Sequence, residues 1–371
     1  MEFAKSVALK SDSTYIIGGV SMSNDGDVTG LHGSGNFDYW IINLDNAGNL
    51  LWQRCFGGTG PEMKGTANVT YDGKIVAFGQ AGSLDGDVTG FIGGGGDYWI
   101  MKTDTSNTIL SQKCLGGTSA DQGYYFQPTS DSGYILAGYS NSTDGDVTGV
   151  HSFYGDYWIV KLDSSFNIIW QNCFGGTGLD VPASIIETSD NGYIVNGYTE
   201  SNDGNVTGNH STLQDFWILK LDSSGNFQWQ IALGGSDNEL GNSVCQTTDS
   251  GFIVTGSTFS IDGDLLNSGY HGNGDAWVVK LAQLPNDVPK LGAPLTNLTG
   301  FITSSILHLN YSVTTEHILP LQIFDITGRL LFEKTIKTVV GKNDIVLPVG
   351  EIKAGVYILS MGKEAFKVIA N

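Results

Sequence analysis

A chain of 371 residues can hold two or three domains around a large buried core, and 52 Gly against 8 Pro, with 40% hydrophobic residues, suits a folded, turn-rich protein and excludes a disordered one. The net charge of −20 sits in residues 1–284, where 10 Lys and Arg face 31 Asp and Glu, while residues 285–371 hold 8 against 7. Such a surface repels phosphate backbones and anionic lipid, which excludes nucleic acid and membrane surfaces as partners and favours cations.

The chain opens on a strand-like run, AKSVALKSD (residues 4–12), and then on SNDGDVTG (23–30), two carboxylates, two glycines and two small hydroxyl residues in eight positions. The stretch returns as SLDGDVTG from Ser83, STDGDVTG from Ser142, SNDGNVTG from Ser201 and SIDGDLLN from Ser260, so Asp25, Asp85, Asp144, Asp203 and Asp262 are 60, 59, 59 and 59 residues apart. Each unit reads as four strands. In the third and fourth units they are YYFQPTSD (124–131) or SIIETSD (184–190), then YILAGYS from Tyr134, DYWIVKLD from Asp156 and IIWQNCFGG from Ile168, each bounded by Gly, Asn, Asp or Ser.

In DYWIVKLD, Trp158, Val160 and Leu162 point one way and Tyr157 and Ile159 the other, because side chains alternate across a strand. A four-stranded sheet with two apolar faces must be sandwiched between others, and five copies predict an all-β fold: a five-bladed β-propeller over residues 1–284, with about 59 residues per blade. A β-solenoid is the second choice, since such a unit is long for one coil and a closed ring exposes fewer edges. The last unit stops after its third strand, DAWVVKL (275–281), leaving nineteen strands where closure needs twenty. The absent IxWQxCFGG-type strand is expected from a precursor segment upstream of Met1, along with a signal peptide.

Candidate sites follow from the repeats. In each unit a further aspartate lies beyond DGD, giving Asp25, Asp27 and Asp38; Asp85, Asp87 and Asp97; Asp144, Asp146 and Asp156; and Asp262, Asp264 and Asp275. Three carboxylates with free carbonyls in a glycine-permitted turn are hard oxygen ligands suited to structural Ca²⁺, with the fourth unit (Asp203, Asn205, Asp215) the weakest site. The competing reading makes Asp and Gly hydrogen-bonded turns, with the last aspartate capping its strand. His32, His151, His210 and His271 fall in the same loops and read as solvated loop residues. The repeated Trp40, Trp99, Trp158, Trp217 and Trp277, with Trp52, Trp170 and Trp229, read as packing between sheets. The less regular loop aromatics Phe37, Phe91, Phe153 and Tyr270 are the candidate ligand-binding rim. Cys55, Cys114 and Cys173 recur at intervals of 59 and read as buried small hydrophobes.

No nucleophile elbow, zincin helix or phosphate loop is present. A catalytic reading would need acids where the repeats diverge, around Gln122, Glu200 and Glu239, acting as a glycoside-hydrolase pair.

After a Pro-containing linker, residues 285–294, the repeat vanishes. Residues 295–371 contain ILHLNYS, LPLQIFDITGRLLFEKTI, NDIVLPVG and AGVYILSM, which alternate as short strands and predict a small C-terminal, Ig-like β-sandwich. LQIFDITGRLL (321–331) followed by IKAGVYILSM (352–361) resembles the type A sorting domain of cargo for the type IX secretion system of Bacteroidetes. The repeats resemble the DGDVTG…DYWIVKLD…WQKCFGG arrays that often precede such domains in secreted proteins. The resemblance implies a secreted or outer-surface protein that meets the secretion machinery through its C-terminal domain, and extracellular propellers without an assigned activity. No stretch approaches the roughly 18 apolar residues of a membrane span. The expected function is a binding or scaffold propeller for a polysaccharide or a surface protein; the alternative is a carbohydrate-active enzyme with a site on the propeller face.

Overall fold

The computed structural model describes residues 1–104, 106–265 and 271–281, and from 296 to 370 all residues except 304–305, 314–317, 326–329, 338, 351, 353–354 and 362–363. The expected linker, residues 285–294, lies outside the described residues, as does most of the DITGR turn.

The repeats fold as five antiparallel sheets in chain order. The first holds β1 (Glu2–Leu9), β2 (Tyr15–Ser21), β3 (Asp38–Leu44) and β4 (Leu50–Phe56). The second holds β5 (Met63–Val69), β6 (Ile75–Ala81), β7 (Asp97–Thr103) and β8 (Ile109–Leu115). The third holds β9 (Asp121–Pro128), β10 (Tyr134–Ser140), β11 (Asp156–Leu162) and β12 (Ile168–Phe174), and the fourth β13 (Asp180–Glu187), β14 (Tyr193–Thr199), β15 (Asp215–Leu221) and β16 (Phe227–Leu233). The fifth has three strands among the described residues, β17 (Glu239–Gln246), β18 (Phe252–Thr258) and β19 (Asp275–Leu281). The hairpins between third and fourth strands close on an aspartate, as where Asp163 Oδ1 accepts from the backbone N–H of Ser165 and of Asn167, both at 2.8 Å.

Both faces of these sheets are apolar, and every residue of β11 and of β15 is buried. The sheets stack in sequence order, because one aromatic residue of each unit wedges against the tryptophan of the next. Ring centroids are 4.9 Å apart for Tyr39 and Trp99, 4.4 Å for Tyr98 and Trp158, 4.5 Å for Tyr157 and Trp217, and 4.8 Å for Phe216 and Trp277. Each tyrosine hydroxyl also donates to the backbone carbonyl of the next unit's tryptophan, at 3.4, 2.8 and 3.2 Å in turn. Glycine makes this passage possible: a Cβ on Gly197 would stand 2.6 Å from Tyr157 Oη. The cores so formed straddle neighbouring units, as where Tyr157 and Ile159 pack with Val195, Trp217 and Leu219.

Among the described residues the packing runs from each sheet to its successor, and Val7 and Leu9 of β1 and Val278 of β19 are exposed. Where the other units carry the Tyr or Phe wedge, the fifth carries Ala276, which has no ring to bury.

The C-terminal strands are β20 (Thr296–Thr303), β21 (Ile306–Val313), β22 (Ile318–Asp325), β23 (Leu330–Lys337), β24 (Gly341–Pro348), β25 (Gly355–Met361) and β26 (Glu364–Ala370). They hydrogen-bond in the order β23-β22-β25-β26-β20-β21-β24. All neighbours are antiparallel except β26 and β20, joined in parallel at Ile302 and Ala370. The two groups thus meet at one seam instead of standing apart as separate sheets. They share one core, with Leu307, Leu309 and Tyr311 from one group and Leu321, Ile323, Ile336 and Leu359 from the other.

Candidate functional site

The long loop between the second and third strands of each unit lies at one end of the sheets, and the repeated acidic stretch sits there as a latch between units. The first aspartate of DGD reaches back to the turn that follows the preceding unit's fourth strand. Asp144 Oδ1 accepts from Thr118 N and Oδ2 from Thr118 Oγ1, both at 2.7 Å. Asp85 holds Thr59 and Asp203 holds Thr177 in the same way, while Asp262 accepts from Ser236 N at 2.8 Å. The second acidic position binds the same turn through the backbone, with Asp146 N donating to Gly116 O at 2.8 Å. Asn205 makes the equivalent bond to Gly175 O, so the fourth unit's departure from DGD keeps the latch. The glycine between these positions is required: Gly145 has φ +65° and lies so close to Gly116 that a Cβ would meet its carbonyl oxygen.

The third aspartate of each unit begins a strand; in the first four units it is fully buried and faces the opposite junction, while Asp275 is part-exposed. Asp38, Asp156 and Asp215 each accept from the backbone N–H and from Nδ1 of a loop histidine; the ring distances are 2.7 Å to His32, 2.5 Å to His151 and 2.5 Å to His210. These histidines are clasped by a buried carboxylate, while His32 and His151 keep part of their surface in solvent, as the sequence suggested. In the second unit Ile92 takes the place, and its N–H caps Asp97 at 2.5 Å with no imidazole ring to add. His271 donates its N–H to Asp275 at 2.5 Å while its ring stays exposed.

The three aspartates of a unit therefore serve different contacts. The acids that gather belong to neighbouring units: Asp97 with Asp121 and Asp146, and Asp38 with Glu62 and Asp87. At the second junction a Cβ on Gly116 would stand 2.6 Å from Asp121 Oδ2 and 3.0 Å from Asp97 Oδ1. Burial, reinforced by neighbouring carboxylates, pushes Glu62, Asp97 and Asp180 up to about 7 and raises Asp38, Asp121 and Glu239, while burial alone raises Asp156. Among the described residues no group of three Asp, Glu, His or Cys side chains is arranged to hold a metal ion. Asp25 and Asp27 are exposed in the first unit's long loop, where Val28 N–H donates to Asp25 O at 3.1 Å.

Of the candidate rim, Phe37 and Phe91 are partly buried against the core shared by the first two units. Phe153 stands out, 74% exposed, with Tyr154 beside it at 55% and ring centroids 4.2 Å apart. Tyr154 was missed from sequence, although its adjacency to Phe153 in an otherwise small-residue loop was the available signal. Tyr270 lies outside the described residues. Trp99, Trp158 and Trp217 are fully buried, as packing requires, and Cys55, Cys114 and Cys173 are buried thiols. Of the residues weighed for catalysis, Glu239 is a buried latch acid accepting from Thr258 Oγ1 at 2.7 Å, Glu200 accepts from Gln214 Nε2 at 2.8 Å, and Gln122 lies opposite Tyr139 on the neighbouring strand.

Sheets and loops together define an all-β repeat protein of antiparallel sheets, four of them four-stranded among the described residues, followed by a seven-stranded sheet with its own core. Residues 303–370 match the secretion system C-terminal sorting domain family, which makes the chain cargo of the type IX system, exported to the cell surface or outside. No helix of the described residues is long and apolar enough to cross a membrane. Among curated proteins none matches. Among solved structures the chain is similar to the hydrazine synthase of Kuenenia stuttgartiensis, at 12% identity and a TM-score of 0.44 over 84% of this chain and 76% of that one. It is also similar to a fructofuranosidase from Schwanniomyces occidentalis complexed with fructosylnystose, at 7% identity and a TM-score of 0.37 over 99% and 88%. A third, PorU of Porphyromonas gingivalis, is 10% identical with a TM-score of 0.18 over 99% and 32%. None of these assigns an activity.

Proposed function

We propose that the chain is a secreted or surface-attached binding protein whose five sheets are consecutive blades of a β-propeller, delivered by an Ig-like sorting domain. The partner is a polysaccharide, met by the loop end of the blades. The observation that carries this reading is the exposed Phe153–Tyr154 pair, two rings presented on a latched loop while the matching aromatics Phe37 and Phe91 are tucked into the core. Adjacent aromatic faces on a rigid scaffold suit the apolar faces of sugar rings.

A glycan array with the intact chain, repeated with Phe153→Ala/Tyr154→Ala, tests it. Binding to at least one polysaccharide that falls about tenfold or more in the double variant is expected. An array with no glycan bound, or binding unchanged by the double variant, overturns the reading. Reducing-end release from a bound polysaccharide, lost on changing a single acid, would establish the carbohydrate-active alternative instead. Solution scattering tests the blade reading, since an arc of five blades and a ring sealed between Val7 and Val278 differ in radius of gyration.

A further inference from the structure

At the other end of the strands, the second unit breaks an arrangement that its three successors share. Lys161 reaches back to Asp131 at 2.8 Å, Lys220 to Asp190 at 3.0 Å and Lys280 to Asp249 at 2.9 Å. The path crosses a glycine: a Cβ on Gly133 would stand 2.5 Å from Lys161 Nζ, and Gly192 lies under Lys220 likewise. In the second unit that position is Lys74, which takes the aspartate itself, with Nζ 2.7 Å from Asp72.

Lys102, the counterpart of Lys161, is therefore displaced toward the third unit. Its ammonium donates to Ser164 O at 3.2 Å and lies 5.4 Å over the Tyr134 ring and 5.5 Å over that of Phe166. A cavity of 220 Å³ opens between the two units, lined by Thr70, Tyr71, Asp72, Lys102, Ser132 and Tyr134 among others. Tyr71 stands at its rim, 81% exposed. The lining carries one cation, Lys102, and one carboxylate, Asp72, whose charge Lys74 Nζ meets from outside the cavity at 2.7 Å.

We propose that this cleft binds a small hydroxylated carboxylate of the kind presented by one uronic acid residue. Lys102 takes the carboxylate, the Tyr71 ring takes the apolar face of the sugar, and Asp72 and Ser132 take its hydroxyl groups. The volume lies below the roughly 300–1,000 Å³ of sites for drug-sized ligands, which suits one monomer. The site is independent of the loop-end reading, because hairpins 70–74 and 129–133 lie at the opposite end of β6 and β10 from the long loops.

Calorimetric titration of the full chain with D-glucuronate, D-glucose and acetate tests the proposal. Glucuronate is expected to bind, with glucose and acetate each about tenfold weaker or more. Lys102→Met is expected to weaken glucuronate about tenfold or more. Lys74→Gly clears the path, lets Lys102 turn to Asp72 as in the later units, and is expected to weaken glucuronate as much without lowering the melting temperature. No saturable heat with millimolar glucuronate, equal binding of glucose, or binding that both variants retain overturns the proposal. None of these outcomes touches Phe153 or Tyr154, so the loop-end reading stands or falls separately.

Discussion

The hydroxyl of Tyr98 donates to the backbone carbonyl of Trp158, 2.8 Å away and 60 residues along the chain, while the two rings lie 4.4 Å apart. One side chain thus both fills the core between two sheets and satisfies a backbone acceptor inside it. Tyr98→Phe is expected to cost about 1–3 kcal/mol, because the carbonyl is left buried without its donor. Tyr98→Ala is expected to cost about 3–5 kcal/mol through the cavity. Urea unfolding with an unchanged slope checks both; a loss in Tyr98→Phe below a few tenths of a kcal/mol would show that the hydrogen bond contributes little.

Gly145 and Gly30 both have positive φ, +65° and +85°, but only Gly145 is pressed against a neighbouring unit. Gly30→Ala is expected to cost about 1–2 kcal/mol for the left-handed backbone alone. Gly145→Ala adds a clash with Gly116 O and should lower the melting temperature clearly more. Equal losses in the two variants would remove the latch from the account of stability.

Acidification should stabilise the repeats before it unfolds them. Glu62, Asp97 and Asp180 are held near 7 when folded and return to ordinary carboxylate values when unfolded. The folded state then binds more protons between about pH 4.5 and 7, so their contribution is full below that window and is lost as pH rises through it. Asp12, Asp72 and Asp131, lowered to about 2 by hydrogen bonds and by Lys10, Lys74 and Lys161, act oppositely: their contribution is present above about pH 4 and is lost as pH falls toward 2. Melting temperatures are expected to peak near pH 5 and fall toward pH 8, and Asp97→Asn should flatten that fall. A monotonic rise from pH 5 to 8 would contradict the junction assignment.

The hydrogen bonds already made by Asp85, Asp144 and Asp203 predict that melts in millimolar Ca²⁺ and in a chelator coincide. A calcium-dependent rise in melting temperature that disappears in Asp97→Asn would instead place the ion at the acids between units, and calcium would become a structural component of the loops.

Deletion of residues 296–370 should abolish export from a host with a type IX system while leaving residues 1–281 folded. Normal appearance of the truncated chain at the surface would separate the sorting domain from delivery.

Strand positions were legible because each unit alternates apolar and polar residues between glycine-rich turns; β11 and β15 begin at the aspartates read as strand starts. β20 and β26 were missed, since TNLTGFIT and EAFKVIA carry weak alternation and gain their place only by pairing with β21 and β25. The aromatic rim was half legible. Phe37, Phe91 and Phe153 look alike in sequence, and the core beneath each loop decides which ring is left outside. The grouping of acids was not legible from one unit at a time, because Asp144 finds its partner 26 residues upstream, in the turn of the preceding sheet. Comparing one unit's GGT turn with the next unit's DGD would have been the way to see it.

Because Tyr39, Tyr98 and Tyr157 each join one unit to its immediate successor, the repeats behave as beads on a line of nearly identical couplings. Their stability is then approximately a sum of unit terms and nearest-neighbour terms, and unfolding can proceed bead by bead from either end. At the two ends of the row Val7 and Leu9 are exposed, and the fifth unit carries Ala276 where a wedge would stand. Hydrogen-exchange protection should accordingly be highest in β11 and β15 and decay outward in both directions, so that the chain has a graded stiffness and not one melting unit.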